Sequence, residues 1–371
     1  MQKWRRALVG AVTVCLGSQA LMAATAFSQP VGMIAGFYQN QVTARMKAPL
    51  AKSDLFDDKA LRVVLCGTSA PFPDPLRAKA CTAVIVNGRA FLIDAGPGAV
   101  NELMLMGFPL ERIAGVLLTH YHSDHIGDLG ELRMQSWAAG RASPLPVHGP
   151  AGVDKVVAGF NQAFALDDTY RTAHHGAEAM PPAAANLKAQ PFATGADGTG
   201  VVFKDADVTI TAFAVKHDPV TPAVGYRIEA HGRSVVITGD TAPTPAVARA
   251  ATGADLLVAE ALSMRMMKIL QQSATDAGNL HQAKLFGDVQ TYHTDPVDTA
   301  REANAAGVKL LVFTHLAPGV PQPALEKLFF DGVATVRDPK TWAVGFDGMR
   351  IDLPFAGGDP VVGKLAMLGR N

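Results

Sequence analysis

One stretch limits the fold more than any other: Gly115-Val-Leu-Leu-Thr-His-Tyr-His-Ser-Asp-His-Ile-Gly-Asp-Leu-Gly-Glu131. Residues 116–118 form a short apolar run of the kind that makes a buried strand. It delivers His120, His122, Asp124 and His125 within six residues. Side-chain direction in extended chain repeats every two residues, so His120 and His122 point the same way. Asp124 and His125 fall on the turn into the next helix and aim at a second point nearby. Imidazole and carboxylate are the groups that hold zinc and other borderline divalent ions. One strand end can therefore furnish ligands for two adjacent metals, a pattern that solvated or core-satisfied histidines do not explain.

The theme recurs downstream. Lys216-His217-Asp218 follows a strand pattern over 208–215, and Leu310-Leu-Val-Phe-Thr-His315 ends another. Ser234-Val-Val-Ile-Thr-Gly-Asp240 is apolar without interruption at its centre, as for a strand buried on both faces, and Gly239 lets the backbone turn Asp240 inward. The seven residues are expected at or just beyond the C-terminal ends of strands. His120, His122 and His217 can hold one ion, Asp124, His125 and His315 a second, with Asp240 bridging. Two divalent ions roughly 3.5–4 Å apart activate a shared water and stabilise a developing oxyanion. Zn2+ suits this His-rich set best, with Fe or Mn in one position left open. Asp94, at the end of an apolar run, is either the carboxylate partner of a ligating His or the cap of the helix after Gly98.

The remaining pattern is that of a mixed α/β chain. Strands are expected at 61–66, 82–86, 89–94, 144–148, 201–203, 208–215, 224–229, 234–238, 256–260 and 310–315. Asn87-Gly88 gives a strong hairpin signal between the second and third. Helices are expected over about 98–106, 126–139, 153–164 and 296–306. Residues 165–200 are polar and aromatic, then Ala/Pro-rich, and are expected to be an irregular insertion forming a lid or substrate wall. His148, Tyr170, Arg171, His174 and His175 are candidate contacts to an anionic substrate group.

Lys3, Arg5 and Arg6, an apolar run over 7–16 and small residues around 24–26 give residues 1–28 the layout of a secretory signal peptide. The run falls short of the roughly 20 residues of a membrane span, an uncleaved anchor being the alternative. A leader segment over 29–59 and one domain over 60–371 follow, in a periplasmic or secreted protein. Removing the three basic residues from 33 leaves 30 against 33 acidic. Nucleic-acid binders usually present a basic surface, so the expected partner is a small-molecule ester, without nucleic acid or membrane; a homodimer is admitted. In an oxidising compartment Cys66 and Cys81, flanking a Pro-rich loop, can pair; two separate buried thiols are the other reading.

The segment Thr119-His-Tyr-His-Ser-Asp-His-Ile-Gly127 resembles the signature of the metallo-β-lactamase-fold hydrolases, over about residues 60–352. Leu65-Cys-Gly-Thr-Ser-Ala70, Val224-Gly-Tyr-Arg-Ile228, Ile237-Thr-Gly-Asp-Thr241, Ala259-Glu-Ala-Leu262, Tyr292-His-Thr294 and Phe313-Thr-His315 are similar to the ribonuclease Z and arylsulfatase branch. The resemblance implies an αββα sandwich, two mixed sheets flanked by helices, with the dinuclear site at one edge. It makes Asp94 an outer aspartate behind the ligands, and Glu260 and His293 a pair assisting proton transfer to the leaving group, beside Asp124 at the catalytic centre. The long tRNA-binding arm of ribonuclease Z has no room between Tyr226 and Asp240, so the exported arylsulfatase-like members fit better. The expected reaction is cleavage of small sulfate or phosphate esters by a hydroxide held between the ions. The alternatives are a lactonase or β-lactamase-like hydrolase and a non-catalytic binding protein.

Overall fold

Runs whose alternate residues are apolar on both faces build two mixed sheets. In the computed structural model, which describes residues 30–47 and 53–368, the first strands are β1 (Ala60–Gly67), β2 (Cys81–Val86), β3 (Arg89–Ile93), β4 (Ile113–Leu117), β5 (Leu145–Gly149) and β6 (Leu187–Pro191). Then come β7 (Thr199–Lys204), β8 (Thr209–Ala214), β9 (Val224–Ala230), β10 (Arg233–Ile237), β11 (Leu256–Leu262), β12 (Leu310–Ala317), β13 (Trp342–Val344), β14 (Met349–Pro354) and β15 (Val361–Lys364). One sheet runs β15-β14-β1-β2-β3-β4-β5-β6 and the other β13-β12-β11-β10-β9-β8-β7. The expected signal segment, 1–28, lies outside the described residues.

Side-chain alternation assigns the layers. Leu61, Val63 and Leu65 of β1 enter the core between the sheets with Ile228, Val258 and Val312. Val64 and Cys66 face the other way, beneath the helices Ala99–Met106 and Leu129–Ala138. In the second sheet Leu256 and Val258 of β11 point inward, while Leu257, Ala259 and Ala261 pack under the helices Pro245–Ala250 and Pro296–Ala305. The result is the expected helix–sheet–sheet–helix sandwich. Asn87 and Gly88 both take positive φ, 46° and 76°, as the hairpin between β2 and β3 requires.

Two units divide the chain, Met1–Pro49 and Leu50–Asn371. Within the first, the helix Val31–Lys47 exposes Met33, Phe37 and Tyr38. Within the second, part of the expected leader is core, because Leu55 and Phe56 are buried. Among the described residues no helix is long and apolar enough to cross a membrane.

Residues 165–200 are more regular than expected. The helix that starts at Val153 continues to Ala179, broken only where Gly176 leaves helical backbone, and β6 and β7 follow. Its apolar face, Val153, Val156, Val157 and Phe160, packs on the core, and no later residue of the helix is buried, so its second half carries little apolar periodicity for a sequence reading to find. Polar contacts hold the helix as well: Arg133 pairs with Asp168, and Asn161 Oδ1 accepts the Leu187 N–H at 2.9 Å.

Candidate metal centre

Strand ends of both sheets meet at one edge, and the turns there carry the ligand-type residues. β4 stops at Leu117, and His120 follows it, then His122 on extended backbone, before the short helix Ser123–Ile126, which presents Asp124 and His125. From the second sheet come His217, after β8, and Asp240, after β10. Gly239 makes the turn to Asp240 with φ 60°, where a Cβ would lie 2.9 Å from both Thr119 Cβ and the Val224 carbonyl; only glycine fits. His315 was expected to end its strand, which instead runs on to Ala317. It sits inside β12 at a bulge: Glu260 pairs with Thr314 and Ala261 with Leu316. The extra residue has φ 48°, and the bulge re-aims its side chain.

These side chains converge. His120, His122, His217 and Asp240 offer ligand atoms within 4.8 Å of one another, as do Asp124, His125 and His315. Asp240 Oδ2 lies 3.3 Å from His125 Nε2, 3.8 Å from His120 Nε2 and 3.9 Å from His217 Nε2. Its Oδ1 is 3.5 Å from His315 Nε2. A third grouping was not expected: Asp240, His293 and His315.

The donor set fits divalent ions. His125 Nε2 and Asp240 Oδ1 are buried without a hydrogen-bond partner, although buried polar atoms are normally paired. Ring nitrogens of His120 and His122 stand 3.0 Å apart, and those of His122 and His217 3.4 Å apart, as ligands aimed at a common point would. Burial drives His120 and His122 below the ordinary imidazole range and His217 to about 4, which favours the neutral form that binds metal. Burial works against charge on Asp240, but the imidazoles of His315 and His125 outweigh it and hold its carboxyl well below the usual range.

Asp94 stands behind the cluster. Its Oδ2 accepts from Thr119 Oγ1 and from His125 Nδ1, both at 2.8 Å, and Oδ1 accepts the Thr119 N–H at 2.8 Å. It does not cap the helix Ala99–Met106, whose cap residue is Gly98. Glu260 lies deeper, where Oε1 accepts the N–H groups of Thr294 and Thr241 at 2.9 and 3.3 Å. His293 Nδ1 is 3.2 Å from the same oxygen. Burial lowers the affinity of His293 for a proton, yet Glu260's charge outweighs it and raises the imidazole above its usual range.

A cavity of about 260 Å³ opens over the cluster, bounded by His122, Asp124, Asp240, Tyr292, His293 and the loop Ala70-Pro71-Phe72. This arrangement can bind cations, take an anionic or carbonyl centre beside them, and offer it a hydrogen bond from His293.

A family model for the "Beta-lactamase superfamily domain" matches residues 89–316. The chain belongs to this superfamily. Its αββα fold and His/Asp clusters are those of a metallo-β-lactamase-superfamily hydrolase with divalent-metal binding. The chain is 34% identical to ribonuclease Z of Mycolicibacterium gilvum (strain PYR-GCK) over 296 residues, 79% of this chain and 96% of that protein. It is 36% identical to ribonuclease Z of Mycobacterium bovis (strain BCG / Pasteur 1173P2) over 70% of this chain and 87% of the relative. The structure is similar to the metallo-β-lactamase-fold protein YhfI from Bacillus subtilis, at TM-score 0.56 and 20% identity over 80% of this chain and all of that one. Zn(2+)-bound PqqB from Methylobacterium extorquens is similar at TM-score 0.52 and 18% identity, over 79% of this chain and 100% of that one.

These relatives correct one expectation. Nucleic acid was not expected as a partner, yet the curated relatives are named ribonuclease Z. Whole-chain charge and a short β9–β10 connection describe the periphery, whereas the metal centre that the superfamily shares is indifferent to both.

The remaining candidates lie apart from the cavity. His148, on β5, is half-buried with its ring 6.4 Å from that of Phe203. Tyr170, Arg171, His174 and His175 sit on the helix Val153–Ala179, with Arg171 Nε bonded to Asp167 at 2.6 Å and the two histidine rings 6.2 Å apart. None of the five lines the cavity. Missed from sequence was Lys79, whose Nζ donates to Ser69 Oγ at 3.2 Å and to the carbonyls of Ala70 and Phe72; it braces the cavity loop. Tyr292, in sequence no more than the neighbour of His293, has its carbonyl 3.0 Å from His217 Nδ1 and fixes that ring.

Proposed function

We propose that this chain hydrolyses phosphodiesters in a metal-dependent reaction, with sulfate esters as a weaker second class. The observation that carries this reading is the placement of His293, backed by Glu260, on the same cavity wall as the His/Asp cluster. His120, His122 and His217 would hold one ion and Asp124, His125 and His315 the other, with Asp240 between. Bound there, two ions, zinc by donor chemistry, would lower the pKa of a water and neutralise charge developing at phosphorus.

The chain's own residues supply the rest. Asp94 fixes the His125 ring so that Nε2 faces the cluster, and the Tyr292 carbonyl does the same for His217. Thr241 and Thr294 hold Glu260, and Glu260 turns His293 toward the cavity, where it can give a hydrogen bond or proton to the leaving oxygen. The relatives' ribonuclease names support a phosphodiester as the bond cut. Export remains part of the proposal, supported by the leader-like residues 1–28 and by the joined Cys66 and Cys81.

The test is metal-loaded protein against bis-p-nitrophenyl phosphate, p-nitrophenyl sulfate, a lactone, a chromogenic cephalosporin and a short RNA. Turnover of the phosphodiesters, abolished by chelation and by Asp124→Ala, is expected; turnover confined to the lactone or cephalosporin would sink the reading. His293→Ala should cost roughly 10²–10⁴-fold on esters with poor leaving groups and far less on nitrophenyl esters. An equal loss on both would remove His293 from leaving-group chemistry.

A further inference from the structure

Beside the metal-centre cavity runs a second, larger hollow of about 500 Å³. Phe72 lines both. The walls also pass from one to the other along the chain: Ala317 borders the cavity and Pro318 the groove, while Val289 borders the cavity and Phe286 the groove. Ile269 and Leu270 from the helix Met264–Asp276 and Leu325 and Leu328 from the helix Pro323–Phe329 complete it. No charged side chain lines the groove, and no Lys or Arg lines the cavity. Ile269 is 52% exposed. A contiguous apolar surface of this kind, opening from a reactive site, marks a binding surface.

We infer that the groove seats a slim apolar substituent of the substrate, so that the preferred ester is a phosphodiester carrying an alkyl chain. This rests on the phosphodiesterase reading and names its substrate class. Length and chemistry choose the occupant. A chain leaving the phosphorus over the cluster would pass Phe72 into the groove and meet an almost wholly apolar lining. A polynucleotide continuing the same way would bring further phosphates, which require cationic partners, and the groove has none.

The experiment is a series of p-nitrophenyl alkyl phosphates with methyl, butyl, hexyl and octyl chains, cleaved by the metal-loaded full chain. Each methylene buried should raise kcat/KM roughly fourfold, giving a gain on the order of 10² from butyl to octyl. Ile269→Glu and Phe286→Ser, both in the groove lining, should each cut the octyl-to-butyl ratio at least tenfold. Lys268→Glu, exposed on the same helix but outside the groove, should keep the wild-type ratio. A flat series in an enzyme that cleaves the methyl ester, or cleaves short RNA, overturns the groove assignment and leaves the phosphodiesterase reading standing. If no diester is cleaved, that reading fails, and calorimetric titration with octyl phosphate and methyl phosphate decides the groove alone. Tighter octyl phosphate, weakened by Ile269→Glu, supports it; equal affinities overturn it.

Discussion

His125 shows how far a single residue's role is set by what lies behind it. Its Nδ1 donates a hydrogen bond to Asp94, which turns Nε2 toward Asp240 and the rest of the cluster. Carboxylates behind ligating imidazoles typically hold 10–100-fold of metal affinity. Asp94→Ala should therefore weaken zinc binding by about that factor, read by competition with a chromophoric chelator; an unchanged affinity would reduce Asp94 to a structural brace for Thr119. The ligand-type residues were legible in the sequence, because imidazoles and carboxylates after apolar runs have few other uses. Lys79 was not. A lysine whose ammonium folds back onto three neighbours of its own loop looks, as sequence, like any solvated lysine.

At the scale of elements, the cavity loop 67–80 is held by three devices. Lys79 is one, and the Cys66–Cys81 bond across its base is another. The third is Asp347, whose buried carboxylate accepts from Thr68 Oγ1 at 2.7 Å and from the Ala78 N–H at 2.6 Å. Burial raises Asp347 to about 6, against the pull of those two hydrogen bonds. A raised acid favours the folded state while protonated. The contribution is full below the ordinary carboxylate range near 4 and is lost as pH rises through about 6. Thermal melts across pH 4–7 should show that loss in the parent chain and flatten in Asp347→Asn; the same slope in both would exclude Asp347. Closing a loop of this length is worth about 3 kcal/mol, so reduction, or Cys66→Ala with Cys81→Ala, should lower Tm by about 5–10 °C. An unchanged Tm would show that Lys79 and Asp347 suffice. The hairpin at Asn87-Gly88 could be read directly because its turn chemistry is local. The helix Val153–Ala179 was lost beyond residue 164, since the Arg133–Asp168 ion pair holds it from another element and no buried apolar face announces it there.

At the scale of the whole molecule, the two sheets are joined at the ligand edge. β4 brings His120 and His122 from one sheet, and β8, β10 and β12 bring His217, Asp240 and His315 from the other. Tyr226 Oη donates to the Leu118 carbonyl at 2.6 Å, and the Val224 N–H to the Thr119 carbonyl at 3.0 Å. Ions bound between them would add to that join, stabilising by about 2.7 kcal/mol at a hundredfold excess over Kd. Saturating zinc should raise Tm by about 5–10 °C and a chelator should reverse it; no shift would argue against ions spanning the sheets. The layer order followed from the family resemblance, with the two strand-rich halves of the chain in agreement with it. The order of strands within each sheet was not legible, since parallel neighbours are chosen by crossover packing that no local pattern records.

The bulge at His315 carries one more consequence. Its ligand is specified by strand pairing, with one residue more on β12 than on β11 between Glu260 and Ala261. Deleting any single residue from β12 on the N-terminal side of His315, while the pairing of Leu316 and Ala317 held, would close the bulge and set His315 opposite Glu260 in Thr314's place, without the aim the bulge gives it. The centre is thus addressed by counting as much as by chemistry. Point changes in this strand would tune it, but a shift of reading register by one position would erase it.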